Sequence, residues 1–94
     1  MTQRTRRPTT PGEILQEEFL APLEMTQRQL AQKTGYEIKA INRLVKGRTR
    51  VTADMAVALE DTLGASARFW LNLQMEVDLF DARQKRGAPT ISAS

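Results

Sequence analysis

The chain contains no cysteine and no histidine among its 94 residues. It therefore cannot form a disulfide, and it lacks the thiolate and imidazole ligands of most zinc and transition-metal sites. It also lacks the commonest acid–base catalyst, and its Asp, Glu, Lys and Tyr residues show no paired-carboxylate or nucleophile–base pattern. We expect no enzyme, no cofactor and no metal site, and the lack of cysteine fits a cytoplasmic location.

Long hydrophobic runs are absent as well. Nowhere do about 18 apolar residues follow one another, and no apolar signal-peptide segment follows the basic N-terminus MTQRTRRPTT. We therefore expect a chain that neither spans a membrane nor is exported by a standard signal. With 40% apolar and 27% charged residues, the composition indicates one globular domain with a modest core.

Five helix patterns occupy residues 11–82, so we predict an all-α domain. The first runs from Gly12 to Leu20 between two prolines, and its apolar residues follow an i, i+1, i+5 pattern: Ile14, Leu15, Phe19 and Leu20. Pro22 is expected to end this helix near Leu20, and Leu23 is expected to reach the core. Residues 1–10 and 83–94 are predicted to be flexible tails, although the first could instead be a basic arm on DNA.

Residues 26–46 have the pattern of a helix-turn-helix. Thr26 suits a helix N-cap, residues 27–34 form a short helix, and Gly35 allows the left-handed turn that ends it. A third helix is predicted from about residue 37 to residue 46, before Gly47. The inward positions of the two helices are Leu30, Ala31, Ile38, Ile41 and Leu44. Periodicity alone would fit equally well a helical hairpin used only for packing.

The distribution of charge favours DNA binding. Between Met25 and Arg50 the only acidic residue is Glu37, and the basic residues are Arg28, Lys33, Lys39, Arg43, Lys46, Arg48 and Arg50. The segments on either side are acidic. A solvated surface would mix both signs, whereas a basic block confined to a turn and one helix is typical of phosphate binding.

The last two helices have clear N-caps in Thr52 and Ser66. In the fourth helix Met55, Ala56, Leu59 and Leu63 are predicted to point inward, before Gly64. In the last helix, residues 66–82, the segment LNLQMEVDL alternates like a strand, but its residues are helix formers. On a helix, Leu71, Met75 and Leu79 fall opposite a second apolar set: Phe69, Trp70, Leu73, Val77 and Phe80. A second apolar face predicts a dimer or partner contact, unless the small domain covers both faces itself.

Several segments together resemble the HigA-type antitoxins of the phage-repressor-like (XRE/Cro) helix-turn-helix class. They are PGEIL at 11–15, EEFL at 17–20, TQRQLAQKTG at 26–35, IN at 41–42, the G-x-x-x-V-T run at 47–52 and FWLNLQ at 69–74. The resemblance covers residues 11–82. It implies a five-helix, lambda-repressor-like, homodimeric cytoplasmic protein that represses its own operon and neutralises a HigB-type mRNA-cleaving toxin. The chain departs from the family pattern at the start of the third helix, where Tyr36 and Glu37-Ile38 stand.

For a DNA-binding domain of this class the third helix is expected in the major groove. The expected base contacts are Glu37, Ile38, Lys39, Asn42 and Arg43. The expected phosphate contacts are Gln27, Arg28, Lys46, Arg48 and Arg50. A dimer formed through Leu71, Met75 and Leu79 would require a palindromic operator with half-sites about 34 Å apart. Two alternatives remain open, a phage-type repressor without a toxin and a protein-interaction module without DNA binding.

Overall fold

The computed structural model describes residues 7–86, which form five helices and no strand. The first, α1, is continuous over residues 11–23, with a π-helical segment Leu15–Leu20 between α-helical turns Pro11–Ile14 and Ala21–Leu23. The others are α2 (Gln27–Thr34), α3 (Ile38–Val45), α4 (Ala53–Leu63) and α5 (Ala67–Lys85). The prediction of an all-α domain of five helices is confirmed. Within the described part of the chain, no helix combines the length and the apolar character needed to cross a membrane.

The helix starts follow from local side-chain chemistry. Thr26 accepts a hydrogen bond from the Gln29 backbone N–H, and the Gln29 side chain accepts one from the Thr26 N–H, which makes a reciprocal capping box. Thr52 and Ser66 cap α4 and α5 by a single bond each, in which the hydroxyl oxygen accepts from the backbone N–H of Met55 and of Phe69. These three predicted N-caps are confirmed, and each satisfies a backbone donor that the first helical turn leaves free.

The π-helical segment explains how α1 continues through Pro22. The Ala21 N–H bonds to the Gln16 carbonyl five residues back, and the widened turn suits a proline, which lacks an N–H and in an α-helix clashes with the carbonyl four residues back. The predicted end at Leu20 is therefore wrong, since the helix runs to Leu23. The wider turn also shifts the residues that follow it, and Leu23 is 55% exposed instead of buried as predicted.

The folded part of the chain extends beyond residues 11–82, the bounds predicted from the sequence, at both ends. Thr10 forms a capping box with Glu13 at the start of α1, and Arg7 makes an ion pair with Asp81 of α5 at 2.8 Å, so residues 7–10 are correctly described as part of the fold. The last helix continues past Ala82 to Lys85. Predictions for residues 1–6 and 87–94 lie outside the described residues.

The core joins all five helices. Helix α2 packs on α3 and α4, α5 packs mainly on α4, and α1 contacts both α3 and α5. The buried apolar residues in this cluster are Leu15, Leu20, Leu30, Ala31, Ile41, Leu44, Val51, Met55, Ala56, Leu59 and Trp70. The inward positions predicted for α2 to α4 are confirmed, with Leu63 partly buried, except for Ile38, which is 41% exposed. Burial of this cluster is what fixes α2 against α3.

Candidate nucleic-acid interface

The turn between α2 and α3 sets the direction of α3. Gly35 has φ 86°, a left-handed conformation that glycine adopts without a Cβ clash, and its N–H bonds to the Ala31 carbonyl. Tyr36 follows, partly buried against the core, and Glu37 is the N-cap of α3 in extended conformation. The first turn of α3 is consequently at the surface, with Glu37, Ile38 and Lys39 all exposed.

The exposed face of α3 carries the residues predicted to contact bases. Ile41 and Leu44 face the core, while Lys39 and Arg43, four residues apart, share the outer face. Asn42 lies at the boundary and is half-buried. The structure therefore places four of the five predicted base contacts in solvent, on α3 or at its N-cap, with Asn42 at the edge of this surface. Whether they touch bases remains a prediction.

A hydrogen bond joins α2 and α3 across the turn. The Asn42 side-chain Nδ2 donates to Gln27 Oε1 at 3.2 Å. Gln27 is the first residue of α2, next to the predicted phosphate contact Arg28. The residue predicted to meet a phosphate and one predicted to read a base are therefore linked side chain to side chain.

The α3–α4 loop, residues 46–52, leaves α3 through a Schellman motif. The Arg48 N–H bonds to the Arg43 carbonyl at 2.9 Å, and the Gly47 N–H bonds to the Leu44 carbonyl at 3.0 Å. Gly47 has φ 73°, in the left-handed region. This arrangement places Lys46 and Arg48 at the exposed end of α3, where both were predicted to contact phosphates.

Arg50, predicted as a phosphate contact, has a partner within the protein. Its Nη1 and Nη2 donate to the two carboxylate oxygens of Asp78 in α5, at 3.1 and 2.6 Å. The hydrogen bonds from Arg50 are the main cause of a pKa of Asp78 below its ordinary value. The structure thus shows Arg50 in a fork-to-fork pair within the protein, and its contact with a phosphate remains a prediction.

Sequence reasoning missed the α5 side of this site. Gln74, one turn before Asp78, is the buried polar residue of the helix, and its Oε1 accepts from the Val51 N–H at 2.9 Å. The Arg7–Asp81 pair lies one turn further along and likewise lowers the pKa of Asp81. The sequence does show that three polar residues, Gln74, Asp78 and Asp81, lie on one face of α5. It does not indicate which residues outside the helix they bond to.

The outer face of α5 matches the sequence prediction in part. Leu71, Met75 and Leu79 are 36%, 48% and 39% exposed, and we call them the α5 stripe. On the other predicted face Trp70 and Val77 are buried, but Phe69 is still 37% exposed. The domain therefore covers one apolar face of α5 and leaves the α5 stripe in solvent.

Helix α3 is exposed and basic on its outer face, and a glycine turn joins it to α2. This arrangement defines a helix-turn-helix protein of the DNA-binding type. The profile of the helix-turn-helix family matches residues 16–70. The chain belongs to this family, as a relative of the HigA antitoxins that the sequence resembles.

Three similarities define its place in the family. The chain is 42% identical to an HTH-type transcriptional regulator of Haemophilus influenzae, over 87% of its own length and 77% of that protein. It is 39% identical to the antitoxin HigA-1 of Vibrio cholerae, over 90% of its length and 80% of that protein. The structure of the Pseudomonas aeruginosa antitoxin HigA with the higBA promoter is similar with a TM-score of 0.82 and 37% identity, covering 86% of this chain and 88% of that one.

Proposed function

We propose that this protein is a sequence-specific DNA-binding antitoxin that represses its own toxin–antitoxin operon and neutralises a HigB-type mRNA-cleaving toxin. The observation that carries the DNA-binding part is the exposed, basic face of α3, held by a buried core on its other side. A similar antitoxin whose structure contains promoter DNA supports DNA binding by this chain. The role is one of binding, not catalysis, and is exercised in the bacterial cytoplasm on operator DNA.

In this proposal α3 lies in the major groove of a palindromic operator. Glu37, Ile38 and Lys39 meet the bases from its first turn, and Asn42 and Arg43 from its second. Asn suits adenine and Arg or Lys suits guanine by hydrogen-bond geometry, while Ile38 offers an apolar contact to a thymine methyl group. Gln27, Arg28, Lys46 and Arg48 contact phosphates around the groove, with the first-turn N–H groups of α2 aimed at the backbone.

Selection of binding sites from a random duplex library, at roughly 0.15 M salt to suppress nonspecific phosphate binding, tests this proposal. We expect enrichment of an inverted repeat. Asn42→Ala and Arg43→Ala should each weaken binding to that repeat about 10- to 100-fold, because each removes one to three kcal/mol of base discrimination. Gln84→Ala, at an exposed position of α5 away from the α5 stripe, is the control and should bind normally. The absence of any enriched motif, with binding that vanishes as salt rises, would contradict the proposal.

The same proposal makes the protein a homodimer through the α5 stripe. An exposed apolar stripe along a long helix can pair with its own copy about a two-fold axis, and such a pairing would present two α3 helices to two half-sites. Met75, at 48% exposure, lies at the middle of the stripe and is the natural centre of that contact.

Met75→Lys is therefore expected to convert the dimer to a monomer in sedimentation experiments, because it places a charge at the centre of an apolar contact. The matched control is Gln84→Lys, which adds the same charge to an exposed position of α5 away from the stripe. A dimer mass retained by the Met75 variant would rule out this interface.

The toxin-binding part is supported by the similarity to HigA antitoxins. A second candidate, a regulator without a toxin, is favoured by the similarity to an HTH-type transcriptional regulator. Co-expression of the chain with the product of the adjacent gene separates the two. Rescue of cell growth from a toxic neighbour supports the antitoxin, whereas a harmless neighbour supports the regulator.

A further inference from the structure

The α3–α4 loop is held at both ends by hydrogen bonds to the rest of the fold. At its start the Schellman bonds tie Gly47 and Arg48 to the end of α3. At its end the Val51 N–H bonds to the side chain of Gln74 in α5, and Thr52 caps α4. The exposed residues between these two anchors, Arg48 to Arg50, are thus presented by a short segment with little freedom.

Gln74 is engaged through both halves of its amide. Its Oε1 accepts from the Val51 N–H at 2.9 Å, and its Nε2 donates to Asp78 Oδ1 at 3.0 Å. At 7% exposure it is shielded from water, so losing either bond would leave a buried polar group unpaired. The buried amide therefore orients the Asp78 carboxylate toward the loop.

Asp78 in turn receives three N–H donors, one from Gln74 and two from Arg50. A guanidinium held by both terminal nitrogens on one carboxylate has its charge neutralised and its fork geometry occupied. Two of the five N–H donors of Arg50 are bonded to Asp78, so a phosphate would have to use the remaining donors of a cation whose charge is already matched by a carboxylate. Arg48, on the same loop, makes no such pair with a side chain of the described residues.

We propose that Gln74 and Asp78 are positioning residues for DNA binding, and that Arg50 stabilises the loop through its ion pair with Asp78. Among residues 48–50, Arg48 alone then supplies a phosphate contact. This inference rests on the proposed DNA-binding function. Helix α5 then has a second role besides dimer formation. It holds the α3–α4 loop in the position relative to α3 from which Arg48 can reach a DNA phosphate.

The salt dependence of operator binding tests the assignment, because each phosphate contact contributes about 0.9 to the slope of log affinity against log salt concentration. Arg48→Ala should reduce the magnitude of the slope by about one. Arg50→Ala and Asp78→Asn should leave the slope at its original value while weakening operator binding several-fold at every salt concentration. A slope reduced equally by Arg50→Ala and Arg48→Ala would overturn the proposal, and so would unchanged affinity in Asp78→Asn.

Amide hydrogen exchange of Val51 gives an independent result that needs no DNA. Asp78→Asn and Arg50→Ala should speed exchange of the Val51 N–H, while Arg68→Ala, an exposed control on α5, should not. Unchanged Val51 exchange in the first two variants would overturn the positioning role. Faster exchange together with a wild-type chain that selects no operator would instead refute the proposed function and leave the loop support intact.

Discussion

Replacing Trp70 with alanine is expected to lower the free energy of unfolding by about 3–5 kcal/mol, the usual cost of truncating a buried aromatic residue. The indole is fully buried. Its ring centre lies 5.1 Å from that of Phe19 in α1 and 5.1 Å from that of Phe69, its neighbour in α5. The substitution would therefore remove the aromatic packing between α1 and α5 and leave a cavity there. Urea denaturation followed by circular dichroism measures the loss.

The variant Trp70→Phe tests whether ring packing is what Trp70 contributes to stability. The indole Nε1 finds no hydrogen-bond acceptor among residues 7–86, so a phenyl ring would keep most of the packing and lose no polar contact. We expect this variant to retain well over half of the stability that Trp70→Ala loses. Equal losses in the two variants would show that ring packing is not what this position contributes.

The substitution Gly12→Ala is expected to have the second large effect on stability. Helix propensity predicts that it stabilises the fold, whereas a steric clash predicts that it destabilises it. Gly12 lies in the first turn of α1, where helix propensity alone predicts a gain of about 1 kcal/mol for alanine. The added Cβ, however, would lie 1.8 Å from the Leu44 carbonyl oxygen and 2.9 Å from the Val45 Cα. These are backbone atoms that cannot rotate away, so α1 must shift from α3. We expect a net loss of about 3 kcal/mol, measured by thermal or urea unfolding.

Gly35→Ala is the control for this prediction. Its φ of +86° disfavours alanine by roughly 1–2 kcal/mol, but an added Cβ there would meet no atom within 4 Å. We therefore expect Gly12→Ala to be the more destabilising of the two. A stabilised Gly12 variant would mean that α1 does not approach α3 as closely as described.

Local chemistry explains which parts of the fold were predictable. Thr26, Thr52 and Ser66 each accept a hydrogen bond from an N–H three residues ahead, so the signal and its cause lie within one turn of the chain. The i, i+5 spacing of Leu15 and Leu20 is also visible in the sequence, and it equals the span of the hydrogen bonds in the π-helical segment that buries both. Interpreted as an α-helix, the same segment predicts an end near Leu20 and a buried Leu23, and both predictions are wrong.

In the candidate site, too, features set by local sequence could be predicted and features set by tertiary contacts could not. The exposed position of Lys39 and Arg43 follows from helical spacing relative to Ile41 and Leu44 and could be predicted. The pairing of Arg50 with Asp78 could not, because the two residues are 28 apart in sequence and meet only once α5 packs against the loop. A count of basic residues treats Arg50 as one more cation, and only the tertiary structure shows that its charge is already matched.

The hydrogen bond between Gln27 and Asn42 has a consequence for how operator preference can change. One N–H of the Asn42 amide is engaged by Gln27, so the amide keeps one N–H donor and its oxygen for a DNA contact, in an orientation that a residue of another helix sets. If Asn42 contacts a base as proposed, the identity of that base would depend on two side chains together, since Gln27 sets the orientation of the Asn42 amide. Divergence of operators among such proteins would proceed by paired substitutions at these positions, since a new residue at either one inherits an orientation suited to the old partner.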